Sequence, residues 1–352
     1  MTTFKKNALR FAIALAFLML TLLTYGWYQL TQPWTQPIPT KSVAVEANAP
    51  PRAAIFADPA ELSRYVNTLA TQHANRQVGH PRRLEAAAQY IEAQLKALGV
   101  SAESQPFDAE GDTYRNIVVK LGPATKEVTV IGAHYDVAGD QPGADDNASG
   151  VAGLLELIRL LKTEGLKQRV ELVFYTNEEP PFFRTPYMGS AIHANSLRSR
   201  GDHASLMISL ECIGYFSDEP DSQTHPVRLL NAVYPTVGNF IALVGYYEDG
   251  AVSRRVKASM QTATSLPIHS INAPGFIVGI DFSDHLNYHN EGFVGMMLTD
   301  TAFFRNKAYH TPQDTADRLD YVRMAEVVNA AKAAVLAHTR SRGNQARPVM
   351  TK

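Results

Sequence analysis

One cysteine, Cys212, occurs in 352 residues, which excludes an internal disulfide framework and a thiolate-ligated structural zinc site. Any metal must then rest on histidine and carboxylate side chains. Cys212 itself falls in the apolar run 206–213, the place of a buried small hydrophobe rather than a nucleophile. A charge imbalance is also missing: 33 Lys and Arg face 34 Asp and Glu, so no broad basic surface is offered to nucleic acid or to anionic head groups. No internal repeat is visible. Hydrophobic residues at 45% and charged residues at 19% describe a chain that buries a core.

Charge is absent again between Phe11 and Tyr28, an apolar run that follows Lys5, Lys6 and Arg10 and is long enough to cross a bilayer. No convincing A-x-A-type cleavage site follows it, so residues 1–30 read as an uncleaved signal anchor. The basic flank precedes the run and the next Lys or Arg is Lys41. The positive-inside rule then places the bulk of the chain outside the cytoplasm, in a periplasmic or extracellular space. Residues 31–58, with Pro33, Pro37, Pro39, Pro50 and Pro51, read as an extended spacer that does not pack. A catalytic unit is expected over 59–342, with a tail at 343–352.

Within that unit, Leu84, Ala87, Ile91, Leu95 and Leu98 stand at helical spacing before Gly99, which predicts a helix over 83–98. Strands are expected at 115–121, 128–134, 170–176, 206–212, 240–245 and 293–299, and helices at 150–162, around 251–262 and at 320–340. Near-continuous apolar strands separated by helices predict an α/β fold with a mixed, mostly parallel central sheet and helices on both faces. The stretch 217–281 has little periodicity.

Ligands in open α/β sheets bind beyond the carboxyl ends of strands, and that is where the chemistry-bearing residues fall. His134 ends one strand and is followed by Asp136, the pair an oriented metal-binding imidazole needs. Gly143-Ala144-Asp145-Asp146-Asn147-Ala148-Ser149-Gly150 leads into a helix, with more acid than a cap requires. Glu178-Glu179 leaves another strand and can supply both a metal carboxylate and an unbound proton acceptor. Glu211 interrupts an apolar strand, where an unpaired carboxylate is costly. Tyr309-His310-Thr311 precedes the last helix. This nitrogen and oxygen donor set suits zinc.

Taken together, His134-x-Asp136, Asp145-Asp146-Asn147-x-Ser149-Gly150, Glu178-Glu179 and Tyr309-His310-Thr311 resemble the M28 zinc peptidases in order and spacing, over roughly residues 80–340. The resemblance implies a peptide-hydrolysing enzyme, most simply an aminopeptidase, with two zinc ions. It implies that His134 and Glu179 each hold one ion, that Asp145 bridges both, and that His310 and Glu211 complete the two shells. Glu178 would be the general base, Asp136 would orient His134, and Tyr309 would help polarise the scissile carbonyl. Ser283, Asp284 and His285 would line the substrate pocket. Glu211 departs from the family's usual Asp, and the stretch 180–187 is longer and more aromatic than usual, which assigns Phe182, Phe183 and Arg184 to the pocket wall. Two other readings stay open: a glutaminyl-cyclase-like acyltransferase with a single zinc, and a noncatalytic receptor-type ectodomain on the same fold.

Overall fold

The alternation of apolar residues along the expected strands is realised as one eight-stranded sheet in a computed structural model that describes residues 3–32 and 56–343. β1 (Glu103–Ala109) and β2 (Asp112–Leu121) form a hairpin. They turn through Glu110 and Gly111, both at positive φ (50° and 95°), as a two-residue hairpin loop requires. β3 (Glu127–His134), β4 (Arg169–Tyr175), β5 (His203–Glu211), β6 (Ile241–Tyr246), β7 (Ile268–Ala273) and β8 (Gly295–Thr299) complete the order β1-β2-β4-β3-β5-β8-β6-β7. The central neighbours β4, β3, β5 and β8 are parallel, whereas β2 and β6 run against them. The sheet is therefore mixed, and the carboxyl ends of its four central strands share one edge.

The helices are α1 (Thr3–Thr31), α2 (Pro59–Thr71), α3 (Pro81–Ala97), α4 (Gly150–Leu161), α5 (Gly189–Ser199), α6 (Gly250–Met260), α7 (His285–Asn290) and α8 (Tyr321–Gly343). The strand period of two divides them between the faces. Val170, Leu172 and Phe174 of β4 enter a core with Leu62, Ile91, Leu154 and Val328 from α2, α3, α4 and α8. Val173 and Tyr175 enter a core with Ala194 and Leu197 of α5 and Tyr288 of α7. Complete burial of such side chains stabilises by about 1.5–3 kcal/mol each, so a one-residue register slip would exchange both cores.

The spacer expectation needs correction at its two ends. Thr31 and Gln32 are buried. The Lys257 ammonium donates to their carbonyls (3.3 and 3.2 Å), and Gln32 Nε2 donates to Asn272 Oδ1 (2.6 Å). A helix end leaves carbonyls without partners, and a lysine is a fitting donor there. At the other end Ala57 is buried, its N–H bound to Asn329 Oδ1 (2.9 Å), and Asp58 caps α2 through Ala60 N. Residues 33–55 between them, and the tail 344–352, lie outside the described residues.

Candidate metal centre

Because β3, β4, β5 and β8 end on one edge, His134, the 177–179 turn, Glu211 and the loop after Thr299 converge there. Asp146 joins them from the Ala144–Ser149 turn that opens α4. His134 Nε2 lies 3.3 Å from Asp146 Oδ1 and 3.3 Å from Glu211 Oε2. His310 Nε2 lies 2.9 Å from Asp146 Oδ2 and 3.3 Å from Glu179 Oε1. Each oxygen of Asp146 therefore faces a different imidazole. Two donor groups share it: His134, Asp146 and Glu211 on one side, Asp146, Glu179 and His310 on the other.

The structure places Asp146, and not Asp145, between the two groups. The Asp145 carboxyl turns away, accepting from Gly214 N (3.0 Å) and Asn306 Nδ2 (3.1 Å). Burial and the adjacent Asp300 push it well above the usual carboxylate range, and its two oxygens are spent on these donors instead of the imidazoles. Asp146 moves the other way: His134 and His310 hold its carboxylate below the usual range against the opposing effect of burial.

The scaffold around Asp146 is specific. Gly143 sits at φ +59°, and a Cβ there would meet Asp146 O at 2.5 Å. Asp314, four residues past His310, accepts from the N–H groups of Asp145 and Asp146 (3.0–3.1 Å). Asn147 ties the turn to the end of β5 by donating to Leu210 O (2.8 Å) and accepting from Cys212 N (3.1 Å). Arg76, fully buried, donates to the carbonyls of Tyr135, Pro142 and Gly143 (2.7–2.8 Å). Asp314 and Arg76 escaped the sequence reading. An acid shortly after His310 was a usable signal for the first, whereas nothing in the local sequence marks the second.

Asp136 sits 3.5 Å from His134 Nδ1 and accepts from the N–H groups of Glu178 (3.3 Å) and Glu179 (3.1 Å). One carboxylate thus orients the imidazole and the two-glutamate turn together. Glu178 lies 3.9 Å from His134; it belongs to neither of the two groups built on Asp146, but its carboxylate forms a third close group with His134 and Glu179. Burial raises its carboxyl well above the usual range, in spite of His134. Burial and the charge of Asp146 push Glu179 up to about 8. Glu211 is held by Ser283 Oγ (2.8 Å) and Cys212 Sγ (3.3 Å), which gives the longer side chain a defined position. Cys212 is buried, as expected of a core residue.

His134 Nε2, both Asp146 oxygens and Glu179 Oε1 are buried without a well-formed hydrogen bond, a costly state that a cation relieves. Ligand atoms set tetrahedrally about 2.0–2.1 Å from zinc stand roughly 3.3 Å apart. Three of the four separations given above have that value, so the residues fit the metal.

The pocket expectation shifts. A cavity of about 110 Å³ reaches from Glu211 and Tyr309 into an apolar wall that includes Phe240, Val244, Ile277, Phe282, Met297 and Phe303. Phe182, Phe183, Arg184, Asp284 and His285 are not among its lining residues. Phe182 is buried against Tyr114 and Tyr187, and His285 is committed to Ile280 O (2.7 Å). Asp284 is buried, and its carboxyl is pushed up to about 7 by that burial. Arg184 pairs with Asp281 (2.5 Å) and covers Phe183 and Phe282, at 5.3 and 5.1 Å from their ring centres, so it clasps the cavity's outer loop. Such an exposed pair contributes at most about 1 kcal/mol. Arg184→Ala is accordingly expected to change KM for peptides by about fivefold at most, with kcat and zinc content unchanged, which steady-state kinetics and elemental analysis check. Tyr309 stacks on His310, the ring centres 3.9 Å apart, between that imidazole and the cavity.

Residues 116–335 match the model of Peptidase family M28. The uncharacterized protein YfbL of Escherichia coli (strain K12) is 44% identical over 333 residues, covering 92% of this chain and 97% of its own. A probable aminopeptidase of Saccharomyces cerevisiae is 28% identical over 236 residues, 62% of this chain and 56% of its own. Among solved structures, a glutaminyl cyclase of Fimbriiglobus ruber superposes with a TM-score of 0.62 at 19% identity, covering 82% of this chain and 99% of that one, a likeness of fold. The chain belongs to peptidase family M28.

Proposed function

We propose that the chain is a zinc-dependent aminopeptidase with two ions per chain. The observation that carries this is the Asp146 carboxylate shared between two three-residue donor groups, with Glu178 beside them and outside both. His134, Asp146 and Glu211 would hold one ion and Asp146, Glu179 and His310 the other. A divalent cation in that cradle supplies Lewis acidity, polarising a carbonyl and bringing the pKa of a water toward about 7. Glu178 accepts the proton of the attacking water and delivers it to the leaving amine. Asp136 keeps the imidazole of His134 and the backbone of Glu178 in register for that transfer. The Tyr309 hydroxyl, at the junction of His310 and the cavity, donates to the carbonyl oxygen as charge develops on it.

Two features favour the removal of single apolar N-terminal residues. The cavity has the scale of one side chain, since roughly 150 Å³ holds a benzene ring. Its position beside Glu211 sets the scissile bond next to a surplus of carboxylates suited to an α-ammonium group. His269 in its wall is lowered to about 4 by burial and stays neutral, which keeps the cavity hospitable to leucine, methionine and phenylalanine.

A single-zinc cyclase reading, prompted by the shared fold, leaves His134 and Glu211 without a task, and the two-group arrangement favours hydrolysis. Purified chain incubated with a mixed peptide library is expected to release free N-terminal amino acids, seen by mass spectrometry, and to stop with a chelator. Pyroglutamate formation from N-terminal glutamine without amino-acid release would reverse the assignment.

α1 contains a stretch, Arg10–Thr31, long and apolar enough to cross a membrane. Its hydroxyls at Thr21 and Thr24 are satisfied by Phe17 O and Leu20 O, as a lipid setting demands. We take α1 as an anchor that holds the catalytic unit on the periplasmic or extracellular side.

A further inference from the structure

Resting on the reading of α1 as an anchor, the dimensions of the helix carry a second conclusion. The exposed part of the apolar run, residues 11–26, is about 24 Å of helix at ~1.5 Å per residue, short of the ~30 Å hydrocarbon layer. The remaining turn cannot lie in free solvent if the helix spans. Residues 27–30 are half-buried and Thr31 and Gln32 buried against the enzyme itself. Gln29 Oε1 accepts from Arg254 (2.8 Å), and Lys257 Nζ holds the last carbonyls together with Ser270 Oγ (3.1 Å). Trp27 and Tyr28 occupy the position where aromatic residues mark the membrane interface. Whatever packs around this turn is drawn to the same depth.

Among the described residues, the surface beside it is apolar and uncovered. Leu30 packs on the cluster that also receives Ile271 and Ile277, and Phe276, next to Ile277, is 83% exposed with Val278 54% exposed. Tyr234 donates to Ser270 O (2.7 Å), the residue whose hydroxyl donates to Thr31 O (3.1 Å), and the adjoining helical turn Arg228–Ala232 presents Leu229, 77% exposed. We propose that this face, the β7 edge with Phe276, Val278 and Leu229, is seated in the lipid interface. The docked end of α1 fixes the catalytic unit against the bilayer instead of leaving it on a free tether. Val278 and Leu230 also border the cavity, so the substrate pocket opens close to the membrane surface, where apolar peptides accumulate.

The test uses the full-length chain reconstituted in vesicles of phosphatidylethanolamine and phosphatidylglycerol. Cys212 is buried, so thiol-directed fluorophores report on introduced cysteines: Phe276→Cys on the face, Leu18→Cys within α1, and Thr113→Cys on the β1–β2 hairpin at the opposite sheet edge. Labels at 276 and 18 are expected to be quenched by brominated acyl chains, and the label at 276 to be several-fold less sensitive to aqueous iodide than that at 113. Quenching by lipid at 18 but not at 276, with 276 open to iodide, overturns the seating and leaves the anchor intact. Absence of lipid quenching at 18 removes the anchor reading and the seating with it. Protection of 276 from both quenchers means that protein, a second copy or residues 33–55, covers the face, which also overturns it.

Discussion

Asp146→Asn is expected to lower kcat/KM by far more than the ~10–100-fold that loss of a partner behind the ligands costs, while Asp145→Asn stays within about tenfold of the parent. The two substitutions are chemically identical and one residue apart, so the contrast isolates position. Asp146 faces both imidazoles, and an amide there has one oxygen where two are needed. Asp145 faces neither imidazole, its oxygens being committed to Gly214 N and Asn306 Nδ2. Asparagine keeps the acceptor for Gly214 N and gives up the one for Asn306 Nδ2, a loss of about one hydrogen bond, roughly 0.5–1.5 kcal/mol. Steady-state hydrolysis of a leucyl substrate by the two variants checks this, and equal losses would show that the turn is needed only for its shape.

Glu178→Gln is expected to reduce kcat by about 10²–10⁴-fold, the range for loss of a positioned general base, with zinc content unchanged. The substitution keeps the volume of the side chain and removes only its basicity. Glu178 lies outside both groups that Asp146 bridges, and its turn is held through backbone N–H groups by Asp136, which the variant does not touch. A Gln variant that lost zinc in parallel with rate would make Glu178 a ligand instead of a base, and near-parent turnover would remove it from the chemistry.

The central sheet was legible because β3, β4, β5 and β8 are apolar on both faces, and their carboxyl ends carry the acids and histidines. β1 was not, since it is an edge strand whose outward residues are polar and exposed. β7 (Ile268–Ala273) alternates buried and half-buried residues over only six positions, too short a pattern beside the aperiodic stretch before it. α5 and α7 expose no long apolar stripe because they are short and pack partly through polar groups: His193 of α5 lies 2.9 Å from Glu171 of β4, and Asn287 of α7 donates to Ser190 Oγ of α5 (2.8 Å).

At the site, the residue types and their strand-end positions were readable, but the choice between Asp145 and Asp146 was not. Adjacent residues in an irregular turn point in different directions, and distant partners such as Asp314, Arg76 and Asn306 fix which carboxylate faces inward. The cavity was not legible for a related reason. The aromatic residues at 182 and 183 are near Glu179 in sequence, yet the apolar wall comes from β6, β7, β8 and the loops after them, more than 50 residues downstream.

Two ions sharing one carboxylate are the core of the proposed chemistry, and zinc counting on purified chain by elemental mass spectrometry tests it directly. Two zinc ions per chain in the parent and in Asp145→Asn, with fewer than one retained in Asp146→Asn after dialysis, is the predicted result. One ion per parent chain, or loss of zinc from Asp145→Asn with retention in Asp146→Asn, would contradict it.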